Sequence, residues 1–194
     1  MRRALFCVTA FLLLKASGCY FPEIAETRIS FQDNELPVVI LKYTNISSGA
    51  EEPDELKEAF DELIDDMYGA EYLVEQATDG FAIRKRRLYI ENNRLHAELT
   101  GDATKLNEMY SFFEGNEERF LVYEDDDSYE LVETNGKIIK TDRNTLIVWP
   151  AKMKEIYWKQ HLIFTEDDEE ETDKKRFHQN IAKMVAMFKG YEAK

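Results

Sequence analysis

Apolar residues recur along the chain at two periods. Leu56, Ala59, Phe60, Leu63, Ile64 and Met67 fall at i, i+3, i+4, i+7, i+8 and i+11, which is one face of a helix. Pro53 suits its first turn and Gly69 its exit. Leu106, Met109, Tyr110 and Phe113 mark a second helix, with Asp102 or Thr104 as cap and Gly115 as exit. Phe177, Ile181, Met184, Val185 and Phe188 mark a third, capped by Thr172 and followed by Gly190.

The other segments read as strands: 28–32, 37–44, near 72–76, 81–90, 95–99, 120–123, 129–133, 137–141 and 145–149. Residues 45–49 read as a polar loop. Asn92-Asn93 turns one strand into the next, and Asn135-Gly136 is the strongest two-residue hairpin signal in the chain. Residues 154–164 fit both periods. Ile156, Trp158, Leu162 and Phe164 share one face at period two, while Met153, Ile156 and Tyr157 suit a helix after Pro150. The β-branched and aromatic content assigns the segment to a strand. Hairpins interrupted by about three amphipathic helices predict an α+β fold on an antiparallel sheet, as a single domain over 27–194.

The N-terminus follows neither period. Arg2 and Arg3 precede an uncharged, mostly apolar run over residues 4–14, then Lys15, Ala16, Ser17, Gly18 and Cys19. That order describes a secretory signal peptide over 1–18, too short to cross a bilayer as a helix. Ala16-Ser17-Gly18-Cys19 resembles the lipobox of bacterial lipoproteins, a likeness confined to the first tenth of the chain. The resemblance implies that Cys19 receives a diacylglyceryl group and becomes the first residue, with 19–26 as a lipidated tether. Tyr20 differs from the Asp that retains enteric lipoproteins at the inner membrane, so the same resemblance points to the outer membrane. Ala16 and Gly18 also satisfy an ordinary small-x-small cleavage site, which leaves plain secretion as the alternative. With Cys7 in the leader and Cys19 lipidated, the mature chain has no thiol for disulfide, redox or metal chemistry.

Charge narrows the function classes. The chain has 39 Asp and Glu against 25 Lys and Arg, a formal charge of −14. Loss of 1–18 would remove three cations and no acid, moving it to −17. Such a surface does not suit nucleic acid, so the expected partners are the membrane, through the anchor, and a protein with basic surface. Nine acids lie between Glu51 and Asp66, and residues 124–127 and 166–171 are unbroken acidic runs. Adjacent carboxylates in a loop can ligate Ca²⁺, but these runs lack the EF-hand spacing and read as solvated surface. Arg84-Lys85-Arg86-Arg87 is a basic island within a strand, read as paired with the first helix or an acidic loop.

No familiar catalytic motif is present, and His96, His161 and His178 have no ligand spacing. Each reads as a packing or surface residue. Trp149, Tyr157 and Trp158 read as core, with an exposed binding platform as the alternative. No cofactor, metal or catalytic residue is expected. The expectation is a non-catalytic binding or assembly module of the cell envelope. Its rival is a secreted hydrolase with a site assembled from distant carboxylates and His96 or His161.

Overall fold

Two antiparallel sheets organise the chain in the computed structural model, which describes residues 20–33, 35–123, 128–141, 144–164 and 168–192, the side chains of 168–171 and 173 excepted. Ten strands and four helices are formed among the described residues. The α+β class is as expected, but the fold is mostly sheet, in two sheets, with four helices in place of about three. The larger sheet has the order β3-β4-β2-β1-β10-β7: β3 (Phe81–Glu91), β4 (Arg94–Ala103), β2 (Val38–Ser48), β1 (Tyr20–Ser30), β10 (Glu155–Leu162) and β7 (Tyr129–Thr134). The smaller runs β5-β6-β9-β8: β5 (Phe112–Glu114), β6 (Glu118–Tyr123), β9 (Thr145–Pro150) and β8 (Lys137–Lys140).

Alternation sets which face of the large sheet is covered. On β10, Ile156, Trp158, Gln160 and Leu162 point inward, opposite Ile29, Thr27 and Ala25 of β1. The strand assignment for this segment is therefore correct. Helices α1 (Pro53–Tyr68), α2 (Ala70–Thr78) and α4 (Asp168–Glu192) pack along the β1, β2, β3 and β4 part of the large sheet. The small sheet covers the β10 and β7 part. Trp149 of β9 and Trp158 of β10 are fully buried, their ring centroids 6.2 Å apart. One continuous core draws on both sheets and the helices.

Helix ends follow local chemistry. Pro53 opens α1 and the Glu55 carboxylate accepts from the Glu52 backbone N–H, closing the first turn. Leu56, Ala59, Phe60, Leu63 and Met67 form the buried face. The expected strand near 72–76 is instead α2. Ala70, Glu71, Gln76 and Ala77 favour a helix, and Tyr72 alone is fully buried while Val74 faces solvent. The second predicted helix shrinks to α3 (Leu106–Tyr110), capped by Lys105 rather than by Asp102 or Thr104. Ser111 then takes left-handed backbone at φ 46° and hands Phe113 to β5. α4 begins at Asp168, so Thr172 lies inside it and is not its cap.

The largest departure is at the start. The expected tether over 19–26 is, from Tyr20 on, the first half of β1, and Tyr20 is buried with its hydroxyl donating to Asp66 at 2.7 Å. The expected loop at 45–49 is strand as far as Ser48. Asn45 sits there at φ 58°, a conformation that asparagine tolerates better than most residues. Asn92 and Asn93 also have positive φ and make the β3–β4 hairpin, as predicted. Asn135-Gly136 behaves differently: neither residue is in the left-handed region, so the turn does not bring β7 and β8 together. They enter different sheets.

Candidate binding face

The residues singled out from sequence do not converge on one site. The signal peptide, the lipobox and Cys19 lie outside the described residues, as do 124–127. His96 is buried, stacked on Tyr89 at 5.3 Å, with Nε2 3.2 Å from the Glu91 carbonyl. His178 is exposed on α4 and bonds the Lys174 carbonyl. His161 reaches a carboxylate, with Nε2 3.9 Å from Glu23, which also accepts from Asn45 and Arg94. This cluster lies on an open sheet face. Among the described residues no group of three or more His, Cys, Asp or Glu side chains is placed to hold a metal ion. An open depression on α4 is lined by Lys174, Lys175, His178 and Gln179.

Three cations of the basic island are held within the molecule, but only Arg86 by the first helix; Arg84 and Arg87 pair with acids of the neighbouring strand β4 and not with an acidic loop. Arg84 pairs with Asp102 and Arg87 with Glu98 at 2.9 Å. Arg86 donates to the carbonyls of Tyr68 and Gly69, both at 2.9 Å. Those carbonyls close α1, whose last turn has Asp65 and Asp66 and no cation. Arg86 therefore brings from β3 the positive charge that a helix C-terminus favours. Trp149 and Trp158 are core, whereas Tyr157 lies on the other side of β10 beneath the Arg28 guanidinium, 4.9 Å away.

Two sheet faces have no helix or sheet over them among the described residues, and they differ in chemistry. The outer face of the large sheet is charged. One row runs across all six strands as Arg87, Glu98, Lys42, Glu26, Lys159 and Glu133, alternating in sign at every step. Lys159 lies 2.6 Å from Glu133 and 3.9 Å from Glu26. Hydrogen bonds from Lys159 and Tyr157 hold the Glu133 carboxyl below its ordinary range, and the same carboxylate raises Lys159. This is the solvated face expected of an antiparallel sheet.

The outer face of the small sheet is apolar. Phe113, Phe120 and Val148 lie side by side in one row, and Val122, Leu146 and Ile139 in the next. Phe113 is 48% exposed and Ile139 38%, and the Phe113 and Phe120 rings stack with centroids 5.6 Å apart. None of the six belongs to a core cluster. Their strands are apolar on both sides, the composition of strands buried on both faces, yet Phe120, Val122, Leu146 and Val148 stay half-exposed on the outer side, and the edge strand β8 is exposed on both. β6, β8 and β9 are legible in the sequence as strands; β5 is not, because Phe113 falls in the helical period of Leu106, Met109 and Tyr110. That the four share one partly exposed face depends on the order β5-β6-β9-β8, which no local pattern encodes.

No protein-family model, curated protein or solved structure matches this chain.

Proposed function

We propose that the protein is a cell-envelope lipoprotein, anchored through Cys19, whose acidic α+β domain acts by binding rather than catalysis. The observation that carries the binding role is the apolar outer face of the small sheet, beside a large-sheet face that is charged as a solvated face should be. The lipobox-like Ala16-Ser17-Gly18-Cys19 supports the anchor. With Tyr20 already buried in β1, a lipid on Cys19 would join the folded domain with no tether between them. Two or more acyl chains give stable anchoring where one is marginal. The residue after the lipobox favours the outer membrane.

Crosslinking and co-purification of the native protein from its own envelope, with Phe113→Asp as the control, tests the binding role. Capture of the same protein by both forms would remove this face from the proposal. Cys19→Ala, or globomycin, should leave an unprocessed or soluble form. Unchanged membrane fractionation and gel mobility would remove the anchor.

The second reading, a secreted hydrolase, has one observation in its favour, the contact between Glu23 and His161 from strands far apart in sequence. Hydrolysis of ester or glycoside probes that is abolished by both Glu23→Gln and His161→Ala would establish it.

A further inference from the structure

We infer that the apolar outer face of the small sheet pairs with the same face of a second copy of this chain. The inference rests on the reading of that face as a binding surface and names its occupant. The face is apolar at its centre, with a cation on the edge strand β8 and an anion at the start of the inner strand β6. Lys137 of β8 lies in the row of Val148, Phe120 and Phe113, and Glu118 of β6 lies one row away, opposite Pro150. Neither Lys137 nor Glu118 has an ion pair among the described residues. Arg119 is already taken by Glu114 at 2.9 Å and by the Met153 carbonyl.

The strand order makes this pattern self-complementary. A two-fold axis lying between two stacked copies, parallel to the strands and midway between β6 and β9, sets β8 of one copy over β5 of the other. Lys137 then stands over the Phe113 ring of the other copy, beside its Glu118, and the symmetric contact repeats at the far end. Lysine over an aromatic face with a carboxylate alongside is a favourable setting. Sheets stacked in this way interdigitate about 10 Å apart. The strand edge is a poorer route to pairing: β8 reads Lys-Ile-Ile-Lys, and antiparallel pairing of two such edges would oppose lysine with lysine.

Three exposed or half-exposed rows of a four-stranded sheet make a small interface, so the pair is weak in dilute solution. Two copies confined to one membrane by their lipids would meet at a much higher effective concentration.

Sedimentation velocity of the full chain, in detergent and reductant across a hundredfold range of concentration, tests the inference. A monomer–dimer equilibrium is expected. Phe113→Asp should weaken it at least tenfold, and Lys137→Glu several-fold. The charge-swapped Lys137→Glu/Glu118→Lys form should restore most of the loss. Circular dichroism melting of each variant separates lost pairing from lost folding. A monomer throughout the range overturns the inference, as does a dimer indifferent to Phe113→Asp or one that the charge swap fails to rescue. If the chain is monomeric but a different protein is captured through Phe113, the binding role stands and the self-pairing falls. If Phe113→Asp changes neither result, both fall.

Discussion

The indole Nε1 of Trp149 donates to Oδ1 of Asn135 at 2.8 Å, and the same oxygen accepts the Tyr157 backbone N–H at 3.0 Å. Asn135 Nδ2 donates to the Glu155 carbonyl. A turn residue thus ties β9 of one sheet to β10 of the other at the point where the chain crosses between them. Asn135→Ala would leave the buried indole donor unpaired, at a cost of about 2–3 kcal/mol. Gly136→Ala is expected to cost more. Its added Cβ would stand 2.6 Å from the Trp149 nitrogen and from Ile147 Cγ2, inside contact distance. Urea unfolding of both variants checks the order, and a Gly136→Ala protein as stable as the parent would refute it.

Tyr110 and Trp158 meet edge to face at 5.2 Å, and the Tyr110 hydroxyl and the Trp158 N–H have no hydrogen-bond partner among the described residues. Removing a buried hydroxyl that bonds nothing relieves its desolvation, so Tyr110→Phe should be neutral or raise stability by up to about 1 kcal/mol. Tyr20→Phe loses the bond to Asp66 and should cost about 1–2 kcal/mol. Thermal melts that rank the two variants the other way would contradict the burial argument.

Burial raises the Tyr20, Tyr43, Tyr72 and Tyr110 hydroxyls above their ordinary range, with Asp66 adding to the effect at Tyr20. Because the folded values are raised, the protonated forms favour the native state. That stability is complete below the unfolded value of about 10 and is lost as pH rises towards the folded values. Four protons at about 1.4 kcal/mol each give a slope of about 5 kcal/mol per pH unit above that point. Absorbance at 295 nm should rise in two steps, the second coincident with loss of far-ultraviolet dichroism. Full tyrosinate absorbance before unfolding would overturn this.

Arg86 is the member of the basic island whose loss should be felt in stability. Arg86→Ala removes two bonds to the last carbonyls of α1 and the positive charge they bring to that end, for about 1–2 kcal/mol. Arg86→Lys should recover little, because one ammonium does not reproduce the fork. Arg87→Ala, which breaks an exposed pair, should cost under about 1 kcal/mol. Equal effects at both positions in urea titrations would show that capping is not the reason.

What could be read from sequence was whatever local pattern determines. Ile156, Trp158 and Leu162 alternate, and the face of α1 repeats at helical period; both were recovered. The start of β1 was missed because its inward positions, Pro22, Ala25 and Thr27, are too weakly apolar to stand out. Its order comes from neighbours on both sides, β2 and β10. In α2, Tyr72, Leu73 and Val74 imitate a strand, and only tertiary placement of Tyr72 decides the matter. Asn180 gave no signal either. Its buried amide donates to the Ser48 and Ala50 carbonyls and fixes α4 against the end of β2, a role set by partners about 130 residues away. The binding face shares that origin, since Phe113, Val122 and Ile139 come together only through strand order.

The row Arg87, Glu98, Lys42, Glu26, Lys159 and Glu133 divides the large sheet into two classes. β3, β2 and β10 each present a cation in that row; β4, β1 and β7 each present an anion. Every native neighbour belongs to the opposite class, so exchanging adjacent strands would place like charges side by side. A wrongly ordered sheet could still bury Ile29, Val39 and Leu99 inward. The charged row works as a parity check on assembly: it distinguishes among arrangements that the core alone would accept.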